Sequence, residues 1–192
     1  MEDSNFVVMV NMAQDRFSVD IINTDDDEVV PADGNTELQQ KKAEFGVSPI
    51  SKEDISKLFS GRNLVFVATL SEDNSPHVTP VWADMDEKED LILINSFEGS
   101  AKVRNVRRDP RVALSIVETY NTYKMVSLKG RVVEVTANDA DNHLHKLAKK
   151  YLGIGKYYYR KPAHKRVIIK IKPEKVMGIS IHPAFYFLAY SP

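Results

Sequence analysis

The sequence predicts a mainly β fold, a small closed barrel of six or seven strands with few helices. Three observations lead there. Short apolar runs bounded by turn residues recur from Asn63 to Ile181. Most of them follow one another directly, with only brief stretches of helical period between. A sheet made of successive strands leaves two exposed edges, and closure removes them.

At 192 residues, with 43% hydrophobic and 28% charged side chains, the chain can bury a sizeable core. It has no cysteine, so disulfides and thiolate metal sites are excluded. The acidic start lacks the basic region of a signal peptide, and runs such as Leu64–Leu70 are too short to span a bilayer. The expected location is the cytoplasm, without a membrane partner. The net charge of −1 hides an asymmetry: residues 1–47 hold 11 acids and 3 bases, leaving 16 acids and 23 bases in residues 48–192. A mildly basic body suits a phosphate-bearing ligand.

Residues 1–47 read as an acidic extension and 48–192 as the main domain. The extension has apolar stretches at Phe6–Val10 and Phe17–Ile22, an acidic run at Thr24–Glu28 and a turn-like Ala32–Asn35. A hairpin and a largely disordered tail both fit it, and no function follows.

In the main domain, Ser51 with Glu53 and Asp54 forms a capping pattern for a helix ending at Gly61. Asn63–Leu70 is almost wholly apolar, as in a strand buried on both faces. Pro76–Met85 reads as a strand broken at Pro80, hence at an edge or bulge. Leu91–Asn95 is the next strand. Ala101, Val103 and Val106 among Lys102, Arg104, Arg107 and Arg108 make a short basic helix that Asp109-Pro110 ends. Strands follow at Arg111–Glu118 and Tyr123–Thr136. Asn138 is the expected cap of a helix reaching Tyr151, with Ala140, Leu144, Leu147 and Ala148 on its apolar face. Arg166–Ile171 and Val176–Ile181 read as two last strands.

Familiar phosphate loops and nucleophile elbows are missing. His143 and His145 are two apart on a helix and so face different ways, and no metal site is expected. The informative segment is Asn95–Asn105. There a strand end delivers Asn95 and Ser96, Gly99 turns the chain, and a helix opens with Ser100, Ala101 and Lys102. Helix N-termini offer free amides and partial positive charge, so they bind phosphate readily. Ser100 adds a hydroxyl, and Lys102 and Arg104 add positive charge. A surface helix with solvated cations would show the same composition. Upstream, Val78, Thr79, Pro80, Val81 and Trp82 form a strand interrupted by proline, with backbone groups off the ladder for the polar edge of a planar ring. Trp82 taken alone reads as core.

The order Ser-Pro-His-Val-Thr-Pro-Val-Trp (75–82), Leu-Ile-Leu-Ile-Asn-Ser (91–96) and Gly-Ser-Ala-Lys-Val-Arg-Asn-Val-Arg-Arg-Asp-Pro-Arg-Val-Ala-Leu (99–114) resembles the pyridoxamine 5′-phosphate oxidase-like superfamily. It is most similar to the branch with F420-dependent reductases. Leu147–Gly153 and Arg166–Val176 are also similar to that branch, and the resemblance spans about Ile50–Gly178. It implies a Greek-key split barrel, homodimeric, with FMN or the deazaflavin F420 at the subunit interface. It also implies that Val78–Trp82 lines the ring and Asn95–Asn105 holds the phosphate. Ser100 and Lys102 match the family's Ser-Arg-Lys motif, with Ala101 where the arginine stands.

The implied activity is an FMN- or F420-dependent oxidoreductase acting on a small planar substrate. A non-catalytic flavin carrier or sensor on the same fold is the alternative. No residue marks itself as a catalytic acid or base. Sparse aromatics around Lys102–Arg111 argue against a nucleic-acid partner.

Overall fold

The computed structural model describes residues 6–13, 16–23, 47–158 and 165–181. The acidic run Thr24–Glu28, the turn at Ala32–Asn35, and His164 and His182 lie outside them. Strands β1 (Phe6–Ala13) and β2 (Arg16–Asn23) pair antiparallel as a two-stranded sheet of their own. The strand β3 (Val47–Pro49) pairs instead with the last strand of the main sheet.

Helix α1 (Lys52–Ser60) begins where the capping pattern places it: Ser51 Oγ accepts from the amide of Asp54, and Gly61 ends the helix. The other strands are β4 (Val65–Leu70), β5 (Pro76–Val81), β6 (Ala83–Asp86), β7 (Leu91–Phe97), β8 (Arg111–Val117), β9 (Met125–Thr136) and β10 (Arg166–Ile181). Helix α2 (Ala101–Arg108) follows β7, and α3 (Ala140–Leu152) follows β9. The main sheet runs β5-β4-β8-β9-β10-β7-β6, antiparallel throughout, with β3 off this path. The chain is mainly β, as the sequence predicts.

This order forces the sheet to curl. β5 and β6 are its two ends, yet Trp82 alone joins them. One linking residue allows the two strands about 7 Å of separation. Seven flat strands would set them almost 30 Å apart, at about 4.8 Å each. The inner face of the resulting half-barrel carries Val65, Val67, Ile94, Leu114, Ile116 and Ile171, all at most 3% exposed. Leu58 and Phe59 of α1 and Val103 and Val106 of α2 pack against the same core.

Several expectations change. β4 is not buried on both faces: Val65, Val67 and Thr69 point inward, while Leu64 and Phe66 are nearly half exposed on the outside. A one-layer curled sheet covers only its inner face. The strand break falls at Trp82, not at Pro80, which stays in register opposite Phe66. Pro80 is tolerated because β5 is an edge strand. The N-cap position of α3 falls on Asp139, in the left-handed region and without a side-chain capping bond, not on Asn138. The two last strands are one, β10, whose register shifts near Lys170–Ile171 and Pro173–Lys175 absorb the bend against β9. At that bend a Cβ on Gly130 would lie 2.7 Å from the carbonyl oxygen of Lys172, so only glycine fits there.

The Trp82 joint is held from α3. Tyr151 Oη donates to the carbonyl of Asn63 at 2.8 Å and accepts from the amide of Ala83 at 3.2 Å. Lys150 Nζ donates to the carbonyls of Phe59 and Ala83. The Trp82 ring stacks on Tyr151, 5.1 Å between centroids and 6° from parallel, and meets Tyr157 edge-on at 6.0 Å. Tyr151→Phe keeps the stack but deletes the hydroxyl, so it should cost about 1–3 kcal/mol of unfolding free energy in urea titrations. An unchanged midpoint would mean that the joint is held by other contacts.

Candidate cofactor-binding site

β7 brings Asn95, Ser96 and Phe97 to the end of the sheet beside β10. Gly99 then turns the chain at φ +83, a conformation glycine adopts without strain. Ser100 is the N-cap of α2: its Oγ accepts from the amide of Val103 at 3.4 Å and lies 2.9 Å from Ser96 Oγ. Both serines are buried. With the Val103 amide capped and the Arg104 amide on the carbonyl of Ser100, the amides of Ala101 and Lys102 are the remaining donors of the first turn. No acid stands in that turn.

The cations of α2 differ in their surroundings. Arg104 folds back onto the carbonyl of Gly99, Arg107 pairs with Glu98, and Arg108 donates to the carbonyl of Leu70. All three are exposed. Lys102 is half-buried and, alone among them, meets no acceptor among the described residues. Burial pushes its ammonium below the usual lysine range, and the neighbouring Arg166 adds to that. Sequence reasoning missed Arg166. A lone arginine opening an apolar strand carries no signal until β10 is known to pair with β7.

Asn95 lies on the face of β7 opposite Ile94 and reaches α3. Its Nδ2 donates to the carbonyl of Ala140 at 2.7 Å and lies 3.4 Å from His143 Nδ1, while its Oδ1 accepts from Arg166 Nε at 2.8 Å. Asn105 is buried and donates to Thr69 Oγ1 at 3.0 Å, and Thr69 donates to the carbonyl of His77 at 3.4 Å. This chain ties α2 through β4 to β5, so the two segments singled out in the sequence are physically linked. On β5, Val78 and Pro80 are exposed, Val81 is buried, and Thr79 Oγ1 is buried with no partner among the described residues. β5 pairs with β4 along its whole length, and the backbone groups of its other side are off the ladder because the strand is an edge, not because proline kinks it. Ala101 is half-buried at the start of the helix.

A second buried cluster lies behind Trp82. Asp84, 8% exposed, pairs with Lys146 and lies 3.8 Å from Lys150. Burial lowers Lys150 to about 8, against the opposing pull of Asp84. His143, 6% exposed, is pushed down to about 4, mainly by burial, and its Nε2 has no partner among the described residues. His145 faces another way, its Nδ1 accepting from the amide of Tyr157 at 3.1 Å. Of this cluster the sequence singles out His143 alone; Asp84 and Lys150 join it only through the packing of α3 on β6.

The described helices include none long and apolar enough to cross a membrane. Residues 51–180 match the family model described as pyridoxamine 5′-phosphate oxidase. The chain belongs to that family. A curated relative, the F420H(2)-dependent biliverdin reductase of Mycobacterium tuberculosis, is 29% identical over 128 residues, 66% of this chain and 86% of the relative. A solved F420 reductase superposes with a TM-score of 0.56 at 24% identity, covering 63% of this chain and 94% of that one. A FAD-binding protein from Mesorhizobium loti gives 0.51 at 20%, covering 69% and 95%. These two likenesses are of fold; the curled, mainly β sheet of this chain is that of a split barrel, in keeping with the family match.

The buried imidazole of His143 makes stability depend on pH. Its folded value, about 4, lies below the unfolded value of about 6.5, so the unfolded chain takes the proton first as pH falls. The contribution is whole above about pH 6.5 and is lost toward pH 4, up to about 3 kcal/mol. Urea midpoints measured from pH 7.5 to 5 should fall, and should fall less in His143→Gln. Equal slopes in the two proteins would show that His143 is not held neutral.

Proposed function

We propose that this chain is an FMN- or F420-dependent oxidoreductase that reduces a small planar substrate. The observation that carries the reading is Lys102: a half-buried cation without an acceptor among the described residues, set on the first turn of a helix whose leading amides are unused. A phosphate answers that arrangement, because it pairs with the ammonium and accepts from the amides together. In this reading Lys102 and the amides of Ala101 and Lys102 hold the phosphate, while Ser100 caps the helix and Arg104 closes the turn on the carbonyl of Gly99. Val78, Thr79, Pro80, Val81 and Trp82 line the ring. Asn95, Ser96 and Asn105 shape the seat from within the fold.

A bound flavin or deazaflavin supplies hydride transfer from its ring, leaving the protein to bind, orient and exclude water. Donors along the β5 edge would face negative charge developing on the pyrimidine side of the ring. The name of the mycobacterial relative, an F420H(2)-dependent reductase, supports a reduced deazaflavin as donor. Outward-facing Phe66 (44% exposed) and Val78 (57% exposed) give β4 and β5 an apolar outer face. That supports a homodimer formed through this face, with the cofactor at the interface.

The absorbance spectrum of the purified protein, followed by titration with FMN and with F420, tests the reading. Lys102→Ala should weaken the preferred cofactor by about tenfold or more. Binding as tight as wild type would remove the phosphate assignment. With reductant and acceptors in excess, an enzyme gives many turnovers and a carrier gives none. Phe66→Glu should shift the protein to monomer in sedimentation velocity and weaken cofactor binding with it; an unchanged sedimentation coefficient rules this face out as the interface.

A further inference from the structure

The side chain of Lys150, on α3, is only 15% exposed, a place where charge is costly. Its Nζ donates to the carbonyl of Phe59, in the last turn of α1, and to the carbonyl of Ala83, the first residue of β6. It lies 3.8 Å from Oδ1 of Asp84 and 4.9 Å from the centre of the Tyr151 ring. Tyr151 in turn holds the amide of Ala83 and the carbonyl of Asn63, and Trp82 stacks on its ring. Two successive residues of one helix thus reach the end of α1, the approach to β4, the start of β6 and the indole between β5 and β6. Stability alone does not call for an ammonium there. Replacing a buried ion pair by apolar side chains of the same volume is often neutral or stabilising, because desolvation offsets the attraction. What the ammonium adds is direction: its N–H bonds fix carbonyls that an apolar side chain would leave free to turn.

We propose that Lys150 is a positioning residue for the cofactor's ring: through Ala83 and Tyr151 it sets the orientation of Trp82 and of the end of β5, while the phosphate seat at α2 works without it. The inference rests on the reading of the site given above, in which residues 78–82 line the ring. It divides that site into two halves with separate supports. The turn at Gly99 and the first turn of α2 serve the phosphate, and α3 serves the ring. β5 is an edge strand, so at Trp82 its course depends on the joint more than on a neighbouring strand. A small displacement of a positioning segment is enough to weaken what it holds.

The chain has a single tryptophan, so the emission of the cofactor-free, full-length protein reports on this joint alone. FMN and riboflavin, which differ only in the phosphate, are titrated against the same protein; if it takes the deazaflavin instead, F420 and its phosphate-free chromophore replace them. Lys150→Met removes the donors and keeps the stem, and Asp84 retains Lys146 as its partner. This variant should shift the Trp82 emission to longer wavelength. It should also weaken FMN and riboflavin alike, by about three- to tenfold, with their ratio at the wild-type value. Lys150→Arg, which keeps donors, should restore part of both effects. Lys102→Ala should do the reverse, lowering FMN against riboflavin and leaving the emission unchanged. If Lys150→Met lowers the urea midpoint but leaves the emission and both affinities of the folded protein unchanged, the lysine is merely structural and the proposal is overturned. A shifted emission with wild-type affinities, or a loss confined to FMN, overturns it as well, and in each of these cases the phosphate seat stands. If the wild type binds neither cofactor, the reading of the site fails and the proposal with it. Should Lys150→Met not fold, the double variant Asp84→Asn/Lys150→Met, which removes both buried charges, is read in the same way.

Discussion

The single residue between β5 and β6 constrains the rest of the structure. Because Trp82 must connect the two ends of the strand order, the sheet cannot lie flat, and its curl creates the interior that the aliphatic side chains fill. The same joint decides where function can sit. β5, with its unpaired edge, leads through Trp82 into β6; β6 pairs with β7; and β7 ends at the turn into α2. Segments 78–82 and 95–105, separate in sequence, are therefore linked through Trp82 and β6. The joint carries an unusual density of polar contacts for its size. Tyr151 and Lys150 both reach Ala83, and Tyr151 also stacks on the indole. A strand break leaves amides and carbonyls without ladder partners, and α3 supplies those partners.

Holding the joint in this way puts charge where it is costly. Lys150 and Asp84 are largely buried behind Trp82, and His143 is buried beside them. The ammonium is kept because two backbone carbonyls and a carboxylate surround it. The imidazole, with no such compensation at Nε2 among the described residues, stays neutral. Its Nδ1 faces Asn95, so α3 touches both ends of the candidate site: the Trp82 joint through Tyr151, and the turn region through Ala140 and His143.

Much of the fold was legible because local signals agreed. The Ser51 cap, the Gly61 stop and the Asp109-Pro110 terminator act within a few residues, and the structure follows them. What failed depended on pairing. Proline at position 80 looked like a break, yet an edge strand accepts it. The run 63–70 looked fully buried, but a single curled layer has an outside. Lys172-Pro173-Glu174 looked like a turn between strands, whereas register shifts against β9 carry β10 straight through it. The candidate site divides along the same line. Gly99, Ser100 and Lys102 announce themselves as a strand-to-helix turn. Arg166 and the α3 anchors become visible only once β10 lies beside β7 and the helix lies over the joint.

The composition of the turn acquires a physical reading from this arrangement. Ala101 occupies the position where the family motif has an arginine, and the side chains of Ser96, Ser100 and Asn105 are committed to each other, to the helix cap and to Thr69. Anion recognition by the turn alone would then rest on amides and on Lys102. The frame around the turn matters more in that case. Asn95, one residue before Ser96, joins β7 to α3 through the carbonyl of Ala140 and to β10 through Arg166. Asn105 joins α2 to β4 through Thr69. Donors held by such a frame lose less conformational entropy when an anion arrives than free side chains do. A turn with few cations can therefore bind through the alignment of its amides, which the sheet and α3 fix in advance.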